Sequence, residues 1–341
     1  MRILVVSPSW VGDMIMSQAL LRRLKANYPE CTIDVLAPDW CRAVLQRMPE
    51  VSEAIAMPVG HGKVQWGVRK LVAKQLQVAA YDSCYVLPNS LKSALIPWMA
   101  NIPVRTGWRG EMRYGLLTDI RALDKAAFPL MVERYAALAD KKPSSAQQMS
   151  PVLRPQLRVD ENAQAALFAD KGLTAGRLIA FCPGAEFGPA KRWPHYHFAE
   201  LAKMLIAAGY QVACLGSAKD REAVDQIASL LSPEELAQFF ALAGDTRLEQ
   251  AIDILAGASL VVSNDSGLMH MAAAVNTPLI ALYGPTSPEF TPPLSDDAQV
   301  VRLIDGFIKI RRADGEQGYH QSMIDIAPAE IFSRAMTVIT Q

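Results

Sequence analysis

Three short stretches of the 341-residue chain combine residue types able to do chemistry. The first is Ser7-Pro8-Ser9-Trp10-Val11-Gly12-Asp13-Met14, where a carboxylate follows a glycine at a strand-to-helix turn. Gly12 permits a tight turn. Asp13 fits a helix N-cap and equally a general base, since an unperturbed aspartate of pKa about 3.9 is ionised at neutral pH; one position can serve both ends. The second stretch is Cys182-Pro183-Gly184-Ala185-Glu186-Phe187-Gly188-Pro189-Ala190-Lys191-Arg192-Trp193-Pro194. A Gly- and Pro-rich loop with exposed N–H groups and a lysine can hold a diphosphate; the alternative is a solvated Lys-Arg pair. The third stretch, Val262-Ser263-Asn264-Asp265-Ser266-Gly267-Leu268-Met269-His270, runs from a strand into a helix. Asp265 or Ser266 would cap that helix, and Gly267 lets a ligand approach the backbone. The helix start, with about half a positive charge and unpaired N–H groups, is a seat for a pyrophosphate. His270 reads either as a ligand contact or as a buried, hydrogen-bonded ring.

Such loops act from the carboxyl ends of parallel strands, and the rest of the sequence supplies those strands. Short apolar runs alternate with helical stretches. In the first half the strands are Ile3–Ser7, Thr32–Leu36, Ala54–Met57, Ser83–Leu87 and Val104–Thr106, with helices near Met14–Ala26, Trp40–Gln46, Trp66–Gln75 and Leu91–Met99. A Pro-containing polar stretch, Lys141 to Asp160, reads as an interdomain linker. The alternation then restarts with strands Leu178–Cys182, Gln211–Leu215, Phe239–Leu242, Leu260–Val262, Leu279–Leu282 and Val300–Leu303. Helices follow at about His197–Ala208, stopped by Gly209, then Asp220–Leu231, Leu248–Ala256 and Leu268–Ala274. Near-continuous apolar strands are buried on both faces, so the fold class is α/β with mostly parallel sheets covered by helices. Pro328 to Thr340 is apolar at helical spacing.

Composition narrows the function classes. Lys+Arg and Asp+Glu are both 34, so a globally basic nucleic-acid binder is excluded. The five cysteines, Cys31, Cys41, Cys84, Cys182 and Cys214, are scattered and never in C-x-x-C spacing, which reads as small buried thiols in a reducing compartment. The chain enters a strand at once, without a signal-peptide pattern, and its best apolar window is broken by Pro97. A cytoplasmic protein is expected, with any membrane contact peripheral. No G-x-x-x-x-G-K-[ST] occurs, and the first loop has one glycine where a dinucleotide cradle has three.

Taken together, Gly12-Asp13 within RILVVSPSWVGDMIMSQALLRRLK, PGA and AKRWP in the second loop, and SNDSGLMH followed by PLIALYGPT resemble glycosyltransferase family 9. These are the bacterial ADP-heptose:lipopolysaccharide heptosyltransferases, and the likeness covers nearly the whole chain. It implies a GT-B type fold, two Rossmann-like doubly wound domains facing each other across a cleft. The acceptor-binding domain would span 1–150, the ADP-heptose-binding domain 151–325, and a C-terminal helix, 326–341, would pack back on the body. The resemblance further implies an inverting transfer of L-glycero-D-manno-heptose from ADP-heptose to the first heptose of the lipopolysaccharide inner core, a Kdo-lipid A acceptor, without a metal or other cofactor. A D-x-D triplet, the usual metal–nucleotide holder of the other glycosyltransferase fold, is absent from the sequence.

In the carried-over mechanism Asp13 is the base, beside Gly12. Lys191 meets the diphosphate, Asp265 holds the heptose, and Ser266, Gly267 and Leu268 offer backbone or hydroxyl contacts, with His270 nearby. The acceptor is anionic, and some of Arg105, Arg109, Arg113 and Arg121, in VRTGWRGEMRYGLLTDIR, are expected to face the cleft and hold it; surface arginines are the alternative. The rival classes are another heptosyltransferase of the family, a nucleotide-sugar epimerase of the same two-domain fold, an NAD-linked dehydrogenase and a non-catalytic sugar-nucleotide binder. Contact with the cytoplasmic face of the inner membrane is expected to be peripheral.

Overall fold

The computed structural model describes residues 1–59, 64–185, 188–306 and 315–340. Glu186 and Phe187 of the second loop lie outside the described residues. The chain divides into two compact units, Met1–Leu157 and Arg158–Gln341.

In the first unit, β1 (Arg2–Val6), β2 (Thr32–Pro38), β3 (Glu53–Met57), β4 (Ser83–Val86), β5 (Val104–Trp108) and β6 (Asp119–Arg121) form one sheet. It has the order β3-β2-β1-β4-β5-β6 and is parallel throughout. The helices are α1 (Val11–Asn27), α2 (Arg42–Gln46), α3 (Trp66–Val78), α4 (Leu95–Met99) and α5 (Met131–Ala136). β1 sits centrally, with Val5 in register with Val35 on one side and Tyr85 on the other. Ile3, Leu4, Val5 and Val6 are accordingly buried on both faces. α1 is buried almost all round because α5 and the stretch after residue 141 cover the side that the sheet does not. Gln18 Nε2 donates to Gln156 O (2.7 Å), and its Oε1 accepts from Gln156 N (2.8 Å). Arg22 and Arg23 donate to the carbonyls of Arg154 and Ser150. Most of the expected linker is therefore strapped along α1, and the division falls after Leu157 rather than at residue 150.

In the second unit, β7 (Leu178–Cys182), β8 (Gln211–Cys214), β9 (Phe239–Ala241), β10 (Leu260–Asn264), β11 (Leu279–Leu282) and β12 (Ala298–Val301) form a second parallel sheet, order β12-β11-β10-β7-β8-β9. Counted from its own first strand, this is the same order as the first sheet. The helices are α6 (Glu161–Lys171), α7 (His195–Ala207), α8 (Arg221–Ala228), α9 (Pro233–Leu236), α10 (Leu248–Gly257), α11 (Gly267–Ala274), α12 (Gln321–Ile324) and α13 (Pro328–Ile339). Gly209, at φ +91, follows α7 as its stop. Phe181, Phe198 and Trp193 fill the core, with ring centroids 5.3 and 4.8 Å apart. α13 packs on α7 within this unit, burying Ile331 and Ala335. Five elements were not foreseen: β6, a three-residue edge strand with two charges, α5, α6, which buries only Leu167 and Phe168, and the four-residue helices α9 and α12.

All five cysteines are free and buried. Burial pushes the Cys41 and Cys182 thiols up to about 12, which keeps them protonated and unreactive. Among the described residues no helix is long and apolar enough to cross a membrane.

Candidate functional site

In each sheet the strand order reverses beside its first strand, between β1 and β4 and between β7 and β10. Connections there leave the sheet in opposite directions, which opens a crevice at the carboxyl ends, where ligands of doubly wound folds bind. The three singled-out loops follow β1, β7 and β10, so all three lie at such reversal points.

In the second unit this topology brings together residues far apart in sequence. β7 and β10 pair in register, Phe181 beside Val262 and Cys182 beside Ser263. The loops leaving them are then joined by one amide. Asn264 Oδ1 accepts from Trp193 N (3.1 Å), and Asn264 Nδ2 donates to Pro183 O (2.8 Å). Gly188 turns the second loop at φ +109, a conformation side chains rarely adopt, and starts the 3-10 turn Pro189–Lys191. The result sets Lys191 Nζ 2.5 Å from Asp265 Oδ2, in a pair that is mostly buried.

Ser266, and not Asp265, is the N-cap of α11, and its hydroxyl accepts from Met269 N (3.4 Å). The amides of Gly267 and Leu268, the first two residues of the helix, have no intrahelical acceptor and face the carboxyl edge. Both residues are half-buried. His270, one turn further, is buried. Burial lowers its imidazole to about 4, with Asp265 raising it and Lys191 lowering it again. The ring is neutral near pH 7 and lies within electrostatic reach of the Lys191–Asp265 pair. Two residues absent from the expected set add polar atoms: the Thr286 hydroxyl, in the loop after β11, and Arg192 Nε are buried without a partner among the described residues. PLIALYGPT carried the signal for Thr286, as a polar residue that closes the Gly-Pro turn after a buried strand.

In the first unit, α1 begins at Val11, with Trp10 as an N-cap that makes no side-chain capping bond. Asp13 is therefore the third residue of the helix, not its cap, and Gly12 is helical rather than a turn. A first-turn carboxylate still gains from the helix dipole, and it is half-buried. Tyr135 of α5 feels it: burial first, and then the Asp13 charge, push that phenol well above its ordinary value, so it stays a hydroxyl. Nothing in the sequence around Tyr135 marks it.

The four arginines divide. Arg113 is buried, donating to Pro88 O (2.7 Å), to Asn89 Oδ1 (3.3 Å) and to Trp108 O. Arg105 donates to Leu116 O (2.5 Å) and to Ile102 O. Arg121 holds Asp119 (2.9 Å) and the carbonyls of Ala137 (3.0 Å) and Asp140 (2.9 Å). These three guanidiniums are committed to bonds within the unit itself, which leaves Arg109 as the member of the set whose charge is open to an acceptor. Arg109 is exposed, and its side chain has no partner among the described residues. The loop that carries it is zipped to the loop after β4. Glu111 N donates to Asn89 O (3.0 Å), and Leu91 N donates to Glu111 Oε2 (2.6 Å). At Gly110 a Cβ would lie 2.2 Å from Asn89 O, so no side chain fits there.

Among the described residues no group of three or more His, Cys, Asp or Glu is placed to hold a metal ion. The profile of glycosyltransferase family 9 (heptosyltransferase) matches residues 69–320. Lipopolysaccharide heptosyltransferase 2 of Salmonella typhimurium is 58% identical over 100% of this chain and 99% of its own length. Lipooligosaccharide heptosyltransferase 2 of Haemophilus influenzae is 56% identical over 96% of each. The solved structure of E. coli ADP-heptose LPS heptosyltransferase II superposes with a TM-score of 0.92 at 55% identity, covering 100% of this chain and 99% of that one. The two doubly wound units are the Rossmann-like domains of a GT-B type fold. With family profile, full-length relatives and fold in agreement, the chain belongs to glycosyltransferase family 9, the heptosyltransferases.

Proposed function

We propose that the chain is an inverting heptosyltransferase that moves L-glycero-D-manno-heptose from ADP-heptose to the first heptose of the lipopolysaccharide inner core, in the cytoplasm. The observation that carries the donor half is the Lys191–Asp265 pair beside the first amides of α11. An ammonium has three donors. Asp265 takes one, which leaves two for phosphate oxygens. As the glycosidic bond breaks, negative charge grows on the departing ADP. Lys191 and the amides of Gly267 and Leu268 stabilise it without waiting for water to reorganise. The reading needs no metal for this step. Asp265 is acceptor-only when ionised, so its remaining lone pairs suit heptose hydroxyls, and its charge favours the oxocarbenium character of the transition state.

The first unit supplies the acceptor half. Asp13 takes the proton from the acceptor hydroxyl as that oxygen attacks the anomeric carbon, a contribution of about 10²–10⁴-fold. Attack from the face opposite the leaving diphosphate inverts the anomeric centre. Arg109 binds the acidic groups of the acceptor.

Incubation with ADP-heptose, with and without an acceptor that ends in one heptose, tests the reading. Transfer must require the acceptor and proceed without NAD. Conversion of ADP-heptose in the absence of acceptor would instead indicate an epimerase.

A further inference from the structure

The charge of this neutral chain is not evenly spread. Between Ala54 and Gly110 the sequence holds Lys63, Arg69, Lys70, Lys74, Lys92, Arg105 and Arg109 against one acidic residue, Asp82. α3 lies in this stretch and carries no carboxylate. Its inner face, Arg69, Val72, Ala73 and Leu76, packs on the unit. Its outer face is mixed, with Lys70, Lys74, Gln75 and Gln77 sharing it with large apolar side chains that a solvated helix does not need. Lys70 and Lys74, one turn apart, run along its middle. Leu71 (65% exposed) and Val78 (88%), two turns apart, line one flank, and Trp66 (52%) opens the other.

α4 extends the same surface. The Arg69 guanidinium donates to Lys92 O (3.0 Å) near one end, and Gln77 Nε2 donates to Met99 O (2.8 Å) near the other, so the segment from Lys92 to Met99 lies alongside α3. It adds Trp98 (43% exposed). The exposure is peculiar to the first unit. Its exposed aromatic residues are Trp10, Tyr28, Trp40, Trp66, Trp98 and Tyr114, whereas among the described residues of the second unit every Trp, Tyr and Phe is buried or half-buried.

We infer that the outer face of α3, with Trp98 beside it, docks the first unit on an anionic lipid bilayer. Tryptophan beside lysine is the composition of a surface that sits at headgroup level, the ring among headgroups and the ammonium on phosphate. Leu71 and Val78 add apolar area to insert. Each lysine adds attraction to a negatively charged leaflet. A second copy of the chain fits poorly, because pairing this face with itself would set Lys70 and Lys74 against their counterparts. The inference deepens the proposed function and rests on it only in taking the acceptor to be lipid-borne.

The test uses the full chain, sedimented with vesicles of phosphatidylcholine alone or mixed with phosphatidylglycerol. Binding to the mixed vesicles should exceed binding to the neutral ones and fall with added salt. The double variant Lys70→Glu, Lys74→Glu should weaken it by at least about tenfold, and Trp66→Ser with Leu71→Ser by several-fold. Both variants should keep wild-type transfer to a water-soluble, deacylated acceptor, which also shows that they are folded. Transfer to acceptor embedded in vesicles should drop. Equal binding to both vesicle types, wild-type vesicle binding by the Lys70/Lys74 variant, or capture of an acidic protein in place of lipid would each overturn the surface. Transfer without vesicle binding would overturn it and leave the proposed function standing. Vesicle binding without transfer would overturn the proposed function and leave the surface standing.

Discussion

Lys191 Nζ lies 2.5 Å from Asp265 Oδ2, although 74 residues separate them. The pair forms because β7 and β10 are neighbours, and because Asn264 holds both loops at the end of β10. Removing the ammonium leaves Asp265 as an uncompensated, mostly buried charge next to the place proposed for a diphosphate. Lys191→Met should therefore weaken ADP binding by about 10–100-fold, a loss of about 1.4–2.7 kcal/mol. Titration calorimetry with ADP checks this, and an unchanged Kd would remove Lys191 from the donor site.

Asp13→Asn keeps the size of the side chain and its place in the first turn of α1. It should lower kcat by about 10²–10⁴-fold while ADP binding stays within a factor of about two. Single-turnover kinetics at saturating acceptor is the appropriate measurement. Wild-type turnover would mean that another group takes the proton.

The split among the arginines predicts two phenotypes from one cluster. Arg109→Ala should raise the acceptor KM several-fold with the donor KM and the melting temperature unchanged. Arg113→Ala strips the buried bonds to Pro88, Asn89 and Trp108 and should cost about 2–4 kcal/mol of stability. Denaturant titration alongside steady-state kinetics separates the two. A stable Arg113 variant with only an acceptor defect would reverse the assignment.

His270 links stability to pH. Its folded value of about 4 lies below the ordinary 6.5, so between these values the unfolded chain binds the extra proton. The stabilising contribution is complete above about pH 6.5 and is lost as pH falls toward 4, amounting to about 3 kcal/mol over the window. His270→Gln should flatten the stability profile there. A mutant profile parallel to wild type would show that the acid sensitivity belongs to other groups.

Asp34 is buried at the start of the first sheet, where it accepts from the Tyr81 hydroxyl (2.8 Å) and from the Arg2 guanidinium (2.9 Å). Asp34→Ala should destabilise the protein by about 2–4 kcal/mol, because Tyr81 keeps a buried donor with no acceptor. Neither ADP binding nor the rate of heptose transfer should change in the surviving folded fraction. A melting temperature equal to wild type would count against this buried triad as a structural element.

The central strands were legible in the sequence because residues buried on both faces must be apolar, and β7 and β11 match their expected bounds. β6 was not, since Asp119 and Arg121 carry its pattern and an edge strand needs no apolar run. α6 was hidden by its small buried face, although Asp160, which accepts from Ala163 N (3.0 Å), and Gly172, at φ +70, mark its two ends. The loop residues were legible as chemistry but not as geometry. Ser266 caps α11 while Asp265 pairs instead with Lys191, which reaches it from the loop after a different strand. The same holds for the arginines: a guanidinium turns inward when tertiary approach offers it carbonyls, and no local spacing records that approach.

The double role of Asn264 has a consequence for the ageing of the protein. An amide that takes up water and releases ammonia becomes a carboxylate, and at this position the new oxygen would point its lone pairs at the carbonyl of Pro183 where a donor now sits. Repulsion would replace attraction across the two loops, and Lys191 would drift from Asp265 with the strands beneath still intact. A chain hydrolysed at Asn264 should thus lose the donor grip proposed for these loops well before it loses its fold.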